Sequence, residues 1–284
     1  MRALIVNADD LAYSLEVTAG ICEAHAHGVI TETTALVRSP YARTSIAQAQ
    51  AVGLSIGLHL DLVSPFVADR SACCGPQGKF CRELFAREFK RTVGPGLTAA
   101  DLIGLRDEIR SQIEEFATLA GRAPSHLDYH YGWHYVPEMM AIYLTVAEQY
   151  TVPVRWGAAY AGVNPYRLAP VDLRDGFTGK EDVGVEAFLN TVDEPWEGTL
   201  EIVCHPGYTT PRGLPDAYNG GRERELRTLT DPRLKAGLAE RGIELVTYDW
   251  LRDTIRNNGH SELPIPPQQD ALEQEHRGRL ESRL

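Results

Sequence analysis

The chain has 284 residues, 43% of them hydrophobic and 24% charged, and its 28 Lys+Arg against 39 Asp+Glu give a net charge of −11. A chain of this length and composition buries a large core without staples, which excludes a mini-protein scaffold and a wholly disordered polymer. The acidic balance repels phosphate backbones and disfavours general nucleic-acid binding.

The N-terminus MRALIVNADD contains a short apolar run and then two acids. Neither a signal peptide nor a membrane span is expected there or elsewhere. Residues 3–7 read as a buried strand with the acids at its C-terminal end. Ser14 reads as an N-cap, and Val17, Ile21, Ala24 and His25 recur at helical spacing until Gly28. Residues 29–37 are β-branched and predict a strand, 43–52 a helix, and 54–63 a third strand. Residues 64–100 hold Pro, Gly and three close cysteines, and predict a long functional loop with one helix near 80–90. Residues 99–120 form an amphipathic helix, with Leu102, Leu105, Ile109, Ile113, Phe116 and Leu119 on one face. SHLDYHYGWH begins as a strand, 137–149 is helical with Pro137 in its first turn, and 152–156 is a strand. Further on, 182–193 is a helix, 200–207 a buried strand, 222–241 a helix and 243–249 a final strand. The folded domain is placed at 1–256 and a polar, Pro-containing tail at 257–284.

Strands and helices alternate six or seven times, which predicts a parallel sheet with crossover helices, either a barrel or a doubly wound sheet. The cysteines (Cys22, Cys73, Cys74, Cys81, Cys204) are odd in number and without a regular framework. They point to reduced thiols and a cytoplasmic location. The adjacent pair Cys73–Cys74 lacks the spacing of a structural zinc site.

Four polar clusters fall near the ends of predicted strands: Asp9-Asp10; His59 with Asp61; His126, Asp128, His130 and His134; and His205. Any one of these alone is ordinary, since a single histidine after a strand is usually a loop or core residue. Together they mean that apolar strands repeatedly deliver ionisable groups to one rim, where burial is costly without a cation or partner. Two histidines and one aspartate leave open positions on a divalent metal, the catalytic arrangement. Strand alternation puts His126, Asp128 and His130 on one face.

VNADD, GLHLDL, HLDYHYGWH and CHPG, in that order, resemble the YdjC-like carbohydrate deacetylase family, from Met1 to about Asp253. VITETTALV and ERELRTLTDPRLKAGLAERGIELVTY also look family-like. The resemblance implies a distorted (β/α) TIM-like barrel, one divalent metal ion (Mg2+ or Zn2+), and hydrolysis of the N-acetyl group of an amino sugar or oligosaccharide. It implies Asp10, His59 and His130 as metal ligands, Asp9 as general base and His205 as catalytic acid. An Asp-His-His set chemically favours zinc or another transition metal over magnesium. Asp61 or Asp128 is expected to orient a histidine. Asp128, Tyr131, Trp133, His134 and Arg155 are candidate substrate contacts, and Tyr135 and Trp156 further stacking aromatics; Arg155 also reads as a structural ion pair. Two departures stand out. The family pattern NADDFG reads NADDLAY here, with Leu11, Ala12 and Tyr13. A further histidine two residues after the third motif's ligand is replaced by Gly132. A phosphoester hydrolase, a non-catalytic sugar-binding barrel and a structural barrel with incidental histidines remain open readings. A barrel of this size is compatible with a homodimer.

Overall fold

The strand RALIVNADDL is apolar enough to be covered on both faces, and it lies at the centre of the molecule. The computed structural model describes residues 2–62, 64, 66–67, 98–130, 137–155, 171–174, 177, 183–196, 198–210 and 218–257. Its central strand is β1 (Arg2–Leu11). β2 (Glu32–Ala35), β3 (Ser55–Leu60) and β4 (Leu127–Tyr129) extend the sheet to one side. To the other side lie β5 (Val171–Arg174) and β6 (Thr199–Cys204), while β7 (Ile243–Leu245) pairs with the first residues of β1. The order is β4-β3-β2-β1-β6-β5, and every pairing is parallel. The helices are α1 (Leu15–His27), α2 (Ala42–Ala51), α3 (Ala99–Ala120), α4 (Pro137–Tyr150), α5 (Val185–Asp193), α6 (Asn219–Leu229), α7 (Pro232–Glu240) and α8 (Tyr248–Asn257).

The sheet is rolled. Beyond β4 the chain adds one bridge, Val154 against Leu127. The next residue, Arg155, reaches Glu201 on β6 at 2.8 Å. A side chain can start beyond one margin of the sheet and end near the other only if the sheet curls on itself. The expected (β/α) barrel is present in distorted form, as one α/β domain.

Strand alternation sorts the side chains into two layers. Leu4, Val6, Ala8, Leu58, Leu60, Leu127, Leu200 and Ile202 face outward and pack with the apolar stripes of the helices. Inside, Ala3, Ile5, Val171, Val246, Tyr248 and Leu251 form a small apolar plug at the N-terminal end of the strands. Above the plug most inward positions are polar: Asn7, Glu32, Thr34, His126, Asp128 and Glu201 are all buried, with Val203 the apolar exception among the buried strand residues there. Barrels of this architecture are usually filled there by branched aliphatic side chains.

Local chemistry explains most element boundaries. The Ser14 hydroxyl accepts from Val17 N–H and starts α1. Thr98 and Asp101 form a capping box at the head of α3. The helix expected over 222–241 is two helices, because Pro232 has no N–H to continue α6 and Asp231 instead caps α7. The strand expected at 152–156 is reduced to the Val154 bridge; Pro153 beside it has no N–H to donate. The expected strand 243–249 ends at Leu245, and Tyr248 opens α8, whose first turn is tied by a bond from Trp250 N–H to the Thr247 hydroxyl. β5 was not anticipated; VDLR is short and half polar, and only its pairing with β6 makes it a strand. The predicted helix near 80–90 and the tail after Asn257 lie outside the described residues. Among the described residues, no helix is long and apolar enough to cross a membrane.

Glu32 sits at the floor of the polar interior, where its carboxylate accepts from Tyr248 N–H (2.7 Å) and the Ser125 hydroxyl (2.9 Å). Burial outweighs these donors and pushes its pKa from 4.5 up to about 8. A raised carboxyl binds its proton more tightly when folded, so its contribution to stability is full below pH 4.5 and is lost as pH rises to about 8. The wild type is therefore expected to lose a few kcal/mol between pH 5 and pH 8 that Glu32→Gln does not lose. Urea unfolding at the two pH values measures this, and parallel pH profiles for the two proteins would contradict it. Gly57, inward on β3, leaves room for the His126 ring: a Cβ there would lie 2.5 Å from Nδ1 and 2.8 Å from the His126 carbonyl oxygen. Gly57→Ala is accordingly expected to destabilise by about 2 kcal/mol or more in the same assay.

Candidate active site

Alternation along β1 aims Asn7 and Asp9 into the barrel, and a regular strand would aim Asp10 away from it. The chain avoids this. Asp10 adopts φ 73°, and the register between β1 and β2 shifts between Ala8 and Leu11. Two consecutive carboxylates thereby enter one site. Aspartate tolerates the left-handed region better than most residues. Ala12 also lies there, at φ 74°. This is the position at which the family pattern has glycine, which reaches that conformation without steric cost.

Asp10, His59 and His130 converge. Oδ1 of Asp10 lies 3.0 Å from Nδ1 of His130 and 3.4 Å from Nε2 of His59, and the two ring nitrogens are 3.2 Å apart. Nδ1 of His59 donates to Oδ1 of Asp128 at 2.6 Å, which turns Nε2 toward Asp10 and His130, where a bound cation would take the place of its proton. Asp128 in turn accepts from the Thr34 hydroxyl at 2.8 Å. Oδ1 of Asp10 is buried and accepts no well-formed hydrogen bond among the described residues. A buried carboxylate oxygen in that state, faced by two imidazole nitrogens, fits a divalent cation with open coordination positions. The electrostatics agree. Burial opposes charge on His59, yet Asp128, Asp10 and Asp9 hold its pKa well above the usual histidine value. Surroundings that attract a proton so strongly attract a metal ion as well.

A second convergence, Asp9, His59 and Asp128, also has ligand-like spacing. It is already filled by a cation, the guanidinium of Arg155. Arg155 grips Asp9 with two nitrogens, at 2.6 and 2.8 Å, and lies 3.0 Å from Asp128. Its Nε donates to Glu201, whose other oxygen accepts from the Tyr248 hydroxyl at 2.6 Å. Burial works against ionisation of Asp9, but Arg155 overcomes it and holds the carboxyl far below the ordinary range. Asp9 is therefore an ionised acceptor at any physiological pH.

His205 follows β6 and arrives at the same rim. Burial pushes its imidazole pKa down, against the pull of Asp10, Asp9 and Glu225. The CHPG turn sits close to α1: a Cβ on Gly20 would lie 2.5 Å from the Gly207 Cα. Cys204 is buried with a thiol pKa raised by burial, and it donates to the Asn7 carbonyl, so it is an inert packing residue.

The sequence-derived candidates thus separate. Asp9, Asp10, His59, His130 and His205 meet at one rim. Asp128 and Arg155, candidate substrate contacts, lie buried beneath that rim, engaged with His59, Asp9 and Glu201, and Arg155 forms the structural ion pair that was its other reading. Asp128 is the residue that orients His59, whereas Asp61 binds Ser64 and shapes the turn after β3. His126 shares a face with Asp128 and His130 but sits at the floor, stacked on Tyr248 at 3.9 Å, and burial lowers its pKa to about 3. Tyr131, Trp133, His134, Tyr135 and Trp156 lie outside the described residues. Sequence reasoning missed Arg222, which donates to Oδ2 of Asp10 at 2.8 Å, and Glu201, Glu225 and Tyr248. The one available signal was that charged residues stand within otherwise apolar strand and helix stripes.

Comparison with known proteins gives a consistent relationship. Residues 3–240 match the family model described as YdjC-like protein. A carbohydrate deacetylase of Geobacillus stearothermophilus is 32% identical, with 87% of this chain and 97% of the relative covered. A chitooligosaccharide deacetylase of Serratia marcescens is 33% identical, with 88% and 99% covered. A solved structure from Enterococcus faecalis V583, of a protein whose name assigns it to cellobiose-phosphate cleavage, superposes with a TM-score of 0.74 at 27% identity, covering 88% of this chain and 98% of that one. With the family model spanning most of its length and relatives above 30% identity along nearly all of theirs, the chain belongs to the YdjC-like family.

Proposed function

We propose that this chain removes the N-acetyl group from an amino sugar or oligosaccharide, releasing acetate, with one divalent metal ion held by Asp10, His59 and His130. The observation that carries this reading is the convergence of Oδ1 of Asp10 with two imidazole nitrogens, beside an ionised Asp9 and a buried His205. Relatives named as carbohydrate and chitooligosaccharide deacetylases support the substrate class.

A cation bound there supplies Lewis acidity, polarising the amide carbonyl and making a water more acidic. Asp9 accepts the water's proton on a carboxylate oxygen. Arg155 keeps that carboxylate ionised and fixed in direction. An amide nitrogen leaves poorly as an anion, so an imidazole nitrogen of His205 donates a proton to it as the C–N bond breaks. The depressed pKa of His205 makes its protonated form a stronger donor. Asp128 and Thr34 hold His59 in the ligand tautomer.

The test is acetate release from N-acetylated mono- and disaccharides, with and without added Zn2+ or Mg2+. Wild-type protein is expected to release acetate in a metal-dependent way and to lose turnover with a chelator. A disaccharide bearing a phosphate belongs in the panel, because the name of the Enterococcus relative points that way. Cleavage of a phosphoester without acetate release would overturn the proposal.

His59→Ala is expected to abolish metal binding and turnover together, read by metal content and acetate release; full activity in a metal-free His59→Ala protein would refute the ligand assignment. Arg155→Met leaves Asp9, Asp128 and Glu201 facing one another without their cation. Removing one member of such a buried set costs about 3–5 kcal/mol. The variant is expected to show that loss in urea unfolding, with little turnover, whereas wild-type stability would contradict a central role for Arg155.

A further inference from the structure

We propose that α6 is a positioning element that holds His205 and restricts Asp10 to a single free oxygen, through Tyr218, Arg222 and Glu225. The inference rests on the functional reading above and deepens it. Tyr218 precedes the first turn of α6, and its ring stacks on the His205 imidazole with centroids 4.1 Å apart and planes 22° apart. One turn on, Arg222 points a guanidinium nitrogen at the His205 carbonyl oxygen, 3.4 Å away. One further turn on, Glu225 accepts from the His205 N–H at 2.6 Å. The same helix therefore grips His205 by its ring, its carbonyl and its amide. Arg222 and Glu225 are both buried, as the spacing i, i+3 on the inner face of a helix allows.

Arg222 also reaches across the site. Its second terminal nitrogen donates to Oδ2 of Asp10 at 2.8 Å, and the guanidinium lies over the rings of Tyr13 and Tyr218, 5.5 and 5.8 Å from their centroids. Oδ2 is thereby committed, and Oδ1 alone faces His59 and His130. Two consequences follow. Asp10 offers one ligand atom rather than two, which leaves positions on a bound cation for water and substrate. The arginine charge also partly offsets the carboxylate, so the site holds a cation less tightly than it otherwise would. Arg222 links Asp10 and His205 through one buried side chain, which ties the candidate metal ligand to the candidate proton donor.

Co2+ titration, by chelator competition and visible absorption, reads the metal half without substrate. Arg222→Met is expected to bind Co2+ about tenfold more tightly, because the opposing charge is gone. Its visible bands are expected to weaken as Asp10 supplies both oxygens. A merely structural role predicts the reverse, weaker binding with unaltered bands, and that result would overturn the assignment of Arg222. The His205 half is read by kcat and KM for acetate release. Glu225→Leu is expected to lower kcat about 100-fold with KM and Co2+ affinity within a few-fold of wild type, the scale of a misplaced catalytic group. Glu225→Gln retains an acceptor oxygen and is expected to recover to within about fivefold. Equal loss in both Glu225 variants, or none in either, would overturn it. Absence of acetate release by the wild type would defeat the functional reading, while the Co2+ arm would still decide the case of Arg222.

Discussion

The barrel interior depends on one buried cation. Arg155 has almost no exposure to water, and its three nitrogens meet Asp9, Asp128 and Glu201. Placing several carboxylates in a low-dielectric interior is prohibitive unless an opposite charge is fixed among them with good hydrogen bonds. Arg155 supplies that charge from beyond β4 and ends against β6. The interaction that makes the polar interior tolerable is thus also one that ties the chain beyond β4 to β6 across the rolled sheet. Its third partner, Glu201, is braced by the Tyr248 hydroxyl, so the apolar plug at the floor is mechanically continuous with the carboxylate at the rim.

Of the three non-glycine residues with positive φ among the described residues, Asp10 and Ala12 lie beside the candidate site and Thr151 follows α4. A regular strand cannot present adjacent residues to one face, and the left-handed Asp10 solves this at the end of β1. Ala12 repeats the conformation without the side-chain polarity that eases it for aspartate, at a cost of about 1 kcal/mol. The surrounding bonds hold that segment in place: Thr18 accepts from Ala12 N–H, and the Ser39 hydroxyl donates to the Ala12 carbonyl. Such over-determined backbone is the usual setting for strained functional residues.

Membership of the YdjC-like family and the site geometry bear on each other. The family motifs supply Asp9, Asp10, His59, His130 and His205. Each of these has a bonded neighbour: Asp128, from the same motif as His130, accepts from His59, Arg155 pairs with Asp9, and Glu225 of α6 accepts from the His205 N–H. A constellation this dependent on supporting contacts loses function when the support shifts by a fraction of an ångström.

What the sequence determined alone was local. Capping at Ser14, the apolar stripe of α3, and the alternation that puts Asp128 and His130 on one face all follow from residues within a few positions of each other, where periodicity and turn chemistry act. The rim residues were legible because ionisable side chains at the ends of apolar strands are conspicuous. Even so, alternation alone did not separate His126 from His130: both point inward, and only depth in the barrel sends one to the floor and the other to the rim. Tertiary structure decided the roles of Arg155, Glu201, Arg222, Glu225 and Tyr248. Arg155 meets Asp9 across 146 positions and Arg222 meets Asp10 across 212. No local pattern encodes such pairs, because a buried charge is stabilised by whichever opposite charge folding brings beside it, and sequence separation does not enter that energy.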